Sequence, residues 1–340
     1  MSKMKINIKI CFLLAAFFMF GCVEPGHNLE RVNIRGEVFG TTYLISFYTD
    51  SGETYQFEIE ELFEEINESV SYYRPNSIIS RVNRNETNQI DSIFQRVYLR
   101  SVEIFKATEG AFDPTVSPLV NAWGFGFANA EKMTPQIVDS LLQFVGLHKT
   151  RLISEGLIEK DLPEIQFDFN AIAKGYAADL VGELLLSKGI ETFLVEIGGD
   201  LTTRGIKPDG TKWRVALENP AESFDSPQQY DYFIELENQA VATSGNYRRY
   251  FEVNGQRFSH TIDPSTGFPV SHSLLGVSVV ANDCITADAF ATAFMVMGLE
   301  RSIEFADSTE GLEAYFVYSD DANDFKIHST SGLQLRQRVK

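Results

Sequence analysis

Three stretches of the chain hold side chains whose types and spacing could do chemistry. The segment DFNAIAKGYAADLVGELL (168–185) sets Asp168 before a turn and then opens a helix with Lys174 and Gly175 in its first turn. Backbone N–H groups, the positive end of a helix dipole and an ammonium would meet there, which makes an anion site. An acidic residue ahead of a helix is equally an ordinary cap. In TADAFATAFMVMG (286–298), Asp288 and Thr292 stand at i and i+4, hence on one helical face. A carboxylate and a hydroxyl are hard oxygen donors suited to Mg²⁺, or two partners for a local hydrogen bond. Their neighbours are apolar or small, so the helix is expected to be buried, and a buried Asp needs a partner. In SGNYRRYFEVNGQRFSHTIDPSTGFPV (244–270), His260 falls near the tip of an expected hairpin, beside the polar turn Asp263-Pro264-Ser265-Thr266-Gly267. General acid/base work suits such a histidine; so does a structural place at a strand end.

Two further pieces, GAFDPTVSPLVNAWGFG (110–126) and VEIGGDLTTRG (195–205), contain turns where backbone can approach a ligand closely. Neither fits the dinucleotide fingerprint G-x-G-x-x-G or the phosphate loop G-x-x-x-x-G-K-[ST]. H-E-x-x-H and G-x-S-x-G are absent as well, which removes the usual supports for a zinc hydrolase or a serine esterase. Of three cysteines, Cys11, Cys22 and Cys284, only the last lies in the body of the chain. It sits in an Ala-rich apolar stretch, where a free thiol is packing rather than a nucleophile.

The elements that must position these residues follow from hydrophobic periodicity. Residues 31–49 alternate polar and apolar as a strand does, and 56–70 place Phe57, Ile59, Leu62, Phe63 and Ile66 at helical spacing with acids opposite. Further helices are predicted over 91–108, 134–145, 171–188, 284–298 and 299–307. Short strands are predicted in 150–169, mostly strands and turns from 192 to 282, and a last strand near 312–318. Strands and helices mingle without a βαβ rhythm, so the class is α+β, one compact unit from 31 to 340 with a mixed, mostly antiparallel sheet.

Composition bounds the chemistry. The chain has 340 residues, 44% of them hydrophobic, and its 29 Lys plus Arg face 47 Asp plus Glu, a formal charge of −18. Such a balance excludes a protein whose main work is gripping nucleic acid. Residues 1–21 run from Lys3, Lys5 and Lys9 through an apolar stretch to Gly21, with Cys22 next, the layout of a secretory signal. The apolar run is too short to span a bilayer. A Cys after a small residue there resembles a bacterial lipoprotein signal, although Met19 and Phe20 replace the usual Leu and small residue. Cys22 would then be the lipidated first residue, followed by a tether over 22–30. Losing the three signal lysines and no acid moves the charge from −18 to −21, so any anionic ligand needs local help.

Taken in order, FGTTY (39–43), SYYRPNSIISRVN (71–83), GAFDPTVSPLVNAWGFG, DFNAIAKGYAAD (168–179), VEIGGDLTTRG, ATSGNYRRYF (242–251), SHTIDPSTGFPV (259–270) and TADAFATAFMVMG resemble the ApbE family of FAD:protein FMN transferases over residues 36–318. The resemblance implies a T-fold-related domain that uses Mg²⁺ to move the FMN half of FAD onto a Thr, sometimes Ser, hydroxyl of an acceptor protein, releasing AMP. It implies metal oxygens from Asp288, Thr292 and the Ala171 carbonyl. It implies an FAD site lined by Phe39, Tyr73, Ala111, Phe112, Asp113, Asp168, Lys174 and Ile262, and a catalytic base at His260. Phe39 stands where Met is common. Many family members are envelope lipoproteins, which agrees with Cys22 and implies a membrane-anchored protein facing the periplasm or exterior. The implied acceptor is an envelope flavoprotein with an FMN-binding domain. Two rivals remain: an Mg²⁺-dependent FAD pyrophosphatase giving FMN and AMP, and a lipoprotein that binds FAD without chemistry.

Overall fold

The computed structural model describes residues 29–125, 133–219, 229–246, 250–253, 256–259, 261–320 and 324–337. The chain begins with β1 (Glu30–Val38), β2 (Thr41–Thr49), α1 (Gln56–Val70), α2 (Ile78–Asn83), α3 (Ser92–Ala107), α4 (Ser117–Ala122) and α5 (Pro135–Leu142). It continues through β3 (Thr150–Ser154), β4 (Leu157–Lys160), α6 (Ala173–Ser187), β5 (Phe193–Ile197), β6 (Asp200–Arg204), β7 (Trp213–Asn219), β8 (Gln229–Leu236) and β9 (Ala240–Gly245). The last part holds β10 (Tyr250–Val253), β11 (Gln256–Ser259), β12 (Leu274–Ala281), α7 (Cys284–Met297), α8 (Leu299–Ser308), β13 (Glu313–Ser319), β14 (Phe325–Ser329) and β15 (Arg336–Gln337).

An eight-stranded sheet in the order β1-β2-β5-β6-β9-β12-β13-β14, antiparallel at every step, forms the frame. Alternation along its strands separates two cores. Ala240 and Ala242 of β9, Val277 and Val279 of β12, and Ala314 and Phe316 of β13 join the large core under the helices. Their neighbours Val241, Val280, Tyr315 and Val317 face the other way, into a smaller cluster with Leu217, Ile234 and Leu236 from the three-stranded sheet β15-β8-β7. The α+β class with antiparallel sheets is therefore as the sequence implied.

Some elements differ from the periodicity reading. The stretch 31–49 is a hairpin, because Phe39 (φ 53°) and Gly40 (φ 73°) both take positive φ, the two-residue turn that suits twisted strands. The piece 110–126 contains a short helix, α4, with a proline in its first turn. Helix α5 stops at Leu142, and the Lys149 ammonium donates to the carbonyls of Leu142, Gln143 and Val145 beyond that end. Two strands, β14 and β15, follow the one expected to be last.

Helices α6 and α7 lie together over the sheet and set the geometry of the site. A Cβ on Gly175 would come within 2.3 Å of the Cys284 carbonyl oxygen and 2.8 Å of Asp288 Cβ, so only glycine lets the helices approach this closely. The start of α7 is tied down twice. Asp283 caps it by accepting from Thr286 N–H at 3.0 Å. Asp179, on α6, accepts from Cys284 N–H at 2.9 Å and Ile285 N–H at 2.8 Å.

Candidate active site

The close crossing at Gly175 delivers Asp288 to the first turn of α6. The Gly175 N–H donates to Asp288 Oδ2 at 3.0 Å, and no donor among the described residues reaches the other Asp288 oxygen. Gly175 is the third residue of α6 and so one of its orphan first-turn donors; only a helix begun a turn earlier would bond its N–H to the Ala171 carbonyl. Among the described residues no donor is assigned to the Ala171 carbonyl. One turn along α7, the Thr292 hydroxyl lies 3.4 Å from Ser244 Oγ of β9. Two hydroxyls, a carboxylate oxygen and a backbone carbonyl, none saturated by protein donors, are the hard oxygen set that a small divalent cation takes. The residues therefore fit an Mg²⁺ ion.

The anion-site reading of residues 168–185 changes in the folded chain. Ile172 caps α6 with no side-chain bond, and Asp168 instead accepts from Asn170 N–H at 2.8 Å in a local turn. Both positive features of the helix start, the Gly175 N–H and the Lys174 ammonium, are engaged by the chain's own carboxylates. Lys174 Nζ is in contact with Asp200 Oδ2 and lies 3.8 Å from Asp288 Oδ2. Asp200, at the start of β6, is 1% exposed and its Oδ1 accepts from Thr243 N–H at 3.3 Å. Burial works to depress the Lys174 ammonium, and the charges of Asp288 and Asp200 overcome it and hold the group above its ordinary value. Burial, with the Asp288 charge added, pushes Asp200 up to about 7 against the pull of Lys174. Two buried carboxylates thus share one ammonium, and the cluster has negative charge to spare.

Beside it is a cavity of about 280 Å³ lined by Phe39, Tyr73, Asn170 and Lys174, together with Gly40, Asn67 and Gly198. Phe39 is held edge-on against Phe63 of α1, with centroids 5.7 Å apart. Tyr73 is 66% exposed, and its hydroxyl accepts from Asn170 Nδ2 at 3.3 Å, so a flat aromatic face stands open at the rim. Asp168 is half-buried behind this rim, and its N–H donates to the Pro114 carbonyl at 2.7 Å. That bond joins the rim to the 110–116 loop.

The other residues singled out in the sequence fall into different places. Asp113 is buried, its Oδ1 taking the Thr115 N–H and hydroxyl at 2.8 and 2.6 Å and its Oδ2 the Leu147 N–H at 3.2 Å. Its carboxylate holds its own loop together, with Ala111 and Phe112 buried alongside. Ile262 is 4% exposed in a small cluster with Leu119, Val138 and Val145. The turn after it is pinned by a bond from Trp123 Nε1 to the Gly267 carbonyl at 2.9 Å. At Ile262 the side chain is packing, and its backbone is bridged to Pro269. Cys284 is fully buried, and burial raises its thiol well above the ordinary value, as the packing reading required. His260 and Cys22 lie outside the described residues. Strands β10 and β11 pair antiparallel in register from Tyr250↔Ser259 to Val253↔Gln256. Asp200, Asn170, Asn67 and Ser244 were not singled out in the sequence. Only Asp200 carried a signal, the acid after Gly198-Gly199, and nothing local linked it to Lys174.

Known proteins share this architecture and sequence. The ApbE family profile matches residues 39–316. A protein named FAD:protein FMN transferase from Vibrio cholerae is 37% identical over 332 residues, covering 95% of this chain and 96% of its own. The solved structure of flavin transferase ApbE from Vibrio cholerae superposes with a TM-score of 0.79 at 35% identity, over 89% of this chain and 98% of that one. The apo Pseudomonas stutzeri flavinyl transferase ApbE gives a TM-score of 0.80 at 32% identity, over 89% and 95%. With the motifs in order along the sequence and the same fold around them, this chain belongs to the ApbE family.

Proposed function

We propose that the chain is an FAD:protein FMN transferase that works with Mg²⁺, moves the FMN half of FAD to a Thr or Ser hydroxyl of an acceptor flavoprotein, and releases AMP. The observation that carries the proposal is the junction of the Phe39–Tyr73–Lys174 cavity with the Asp288–Thr292 oxygen cluster, one suited to flat rings and the other to a cation. Bound there by Asp288, Thr292 and the Ala171 carbonyl, Mg²⁺ would supply the positive charge that an acidic chain lacks beside a pyrophosphate. Tyr73 and Phe39 would pack FAD rings, and the Asp168–Asn170 turn would hold the rim in place. In the reaction the acceptor hydroxyl oxygen forms a bond to the FMN phosphorus as the bond to the AMP oxygen breaks. The hydroxyl proton goes to His260, for which a near-neutral pKa is suited. The N-terminal pattern supports export, lipidation at Cys22 and anchoring to the cell envelope, with residues 31–340 as the transferase domain and an envelope flavoprotein as the acceptor.

The test is incubation of the purified protein with FAD, Mg²⁺ and an acceptor flavoprotein domain, followed by mass spectrometry of the acceptor. Covalent FMN with stoichiometric AMP is expected, and His260→Ala should retain FAD binding while losing transfer. Free FMN and AMP without an adduct would replace the transferase with a pyrophosphatase, and FAD binding with no products would leave a carrier.

A further inference from the structure

One ammonium faces two buried carboxylates at unequal distances, touching Asp200 and standing 3.8 Å from Asp288. An ammonium competes with any metal for a carboxylate, since both offer it positive charge at short range. Lys174 cannot leave the cluster cheaply, because its backbone is in the first turn of α6 and the Gly175 N–H beside it is bonded to Asp288 itself. What draws its charged end aside is Asp200, whose own place is fixed by burial and by the Thr243 N–H.

We propose that Asp200 is a positioning residue that holds the Lys174 ammonium off Asp288 and so keeps Asp288 open to a divalent cation. The inference rests on the reading of Asp288 as a metal ligand. Without the Asp200 charge, Lys174 closes onto Asp288, and the metal must then displace it. Asp200 acts here through Lys174, not by touching the ion.

The two roles separate in a double-mutant cycle read as metal affinity. Mn²⁺ is titrated into the purified full-length protein with FAD present and acceptor absent, and free Mn²⁺ is counted by electron paramagnetic resonance. Asp200→Asn keeps the shape and an oxygen for the Thr243 N–H, and should weaken Mn²⁺ binding by roughly ten-fold or more. Lys174→Met removes the competitor, and in that background Asp200→Asn should change the affinity by no more than about three-fold, so that the two substitutions are strongly coupled. Equal weakening in both backgrounds would make Asp200 a ligand of the ion, and an unchanged affinity in both would make it structural; either overturns the proposal. The Lys174→Met pair leaves no buried ammonium facing a single acid, so even if Asp200→Asn alone folds poorly, a change larger than about three-fold in that background overturns the proposal. Mn²⁺ binding that survives Asp288→Ala, or is missing in the unaltered protein, would overturn the metal reading itself. Binding lost in Asp288→Ala with an additive cycle would overturn only the role given to Asp200.

Discussion

Gly175→Ala is the sharpest perturbation of this site, because one methyl group tests both the helix crossing and the cation cluster. The new Cβ would lie 2.3 Å from the Cys284 carbonyl oxygen, 2.7 Å from its carbon and 2.8 Å from Asp288 Cβ. Ordinary contact begins near 3.4 Å, so backbone on one helix must move by about 1 Å, a displacement that interiors packed to crystal density resist. Overpacking of this kind costs about 3 kcal/mol at the upper end of its usual range. The displaced Gly175 N–H loses its bond to a carboxylate, worth about 1.5–3 kcal/mol. Alanine returns about 1 kcal/mol through its better helix propensity. The net loss is about 3.5–5 kcal/mol, or a fall of roughly 7–20 °C in Tm at the about 2–4 °C per kcal/mol of a large domain. Gly182 is the control on the same helix. Its Cβ would meet the Phe193 ring edge at 3.1 Å and the Thr202 methyl at 3.6 Å, side chains rather than backbone, so Gly182→Ala should fall within about 1 kcal/mol of the parent. Thermal unfolding followed by circular dichroism, with Mn²⁺ titration of the folded protein, measures both effects. A Gly175→Ala protein with unchanged Tm and unchanged Mn²⁺ affinity would refute the argument that the crossing positions Asp288.

Asp288→Ala should abolish Mn²⁺ binding and FMN transfer together, and retained metal-dependent turnover would remove Asp288 from the metal site. Tyr73→Ala, at an exposed rim position, should change stability by no more than about 0.5 kcal/mol while weakening FAD binding several-fold, measured by quenching of flavin fluorescence. Asp113→Asn places an amide donor against donors already aimed at both carboxylate oxygens, and should cost about 1–3 kcal/mol in denaturant unfolding. Burial, with Asp283 and Glu183 adding to it, pushes Asp179 up to about 7 against its two N–H bonds, from an ordinary 3.8. The native state therefore keeps a proton that the unfolded chain releases across that interval. The stabilisation from this group is complete below pH 4 and is lost as pH rises through 7. Tm should decline over that range in the parent, less steeply in Asp179→Asn, and parallel profiles would refute the assignment.

Much of this arrangement was legible in the chain because it is local. The helical spacing of Asp288 and Thr292 survives folding, since residues four apart share a face wherever the helix lies. The burial of Cys284 and of α7 followed from an apolar segment with nowhere else to go. The ordered motifs were enough to mark the family, and the profile match over 39–316 agrees with them. Other features were less legible, for reasons equally physical. Asp113 and Ile262 stand in motif positions, yet their side chains are used to hold the loops that carry them. The hairpin at Phe39-Gly40 was hidden because a two-residue turn leaves the alternation of 31–49 almost unbroken.

The acidic charge shows where the two kinds of information divide. Sequence alone determined that the chain has far more acid than base, and it marked Lys174 at a helix start as the candidate anion site. Only the tertiary structure decided what those groups face. Asp200 and Asp288 lie 26 and 114 residues from Lys174 in the chain, and they reach it because β6 and α7 pack against α6 at a glycine. Pairing between buried charges depends on distances of a few ångströms set by that packing, and no spacing along the sequence encodes them. Folding spends the local positive charge on the chain's own carboxylates, so in the proposed transferase the positive charge beside a pyrophosphate would come from a bound cation.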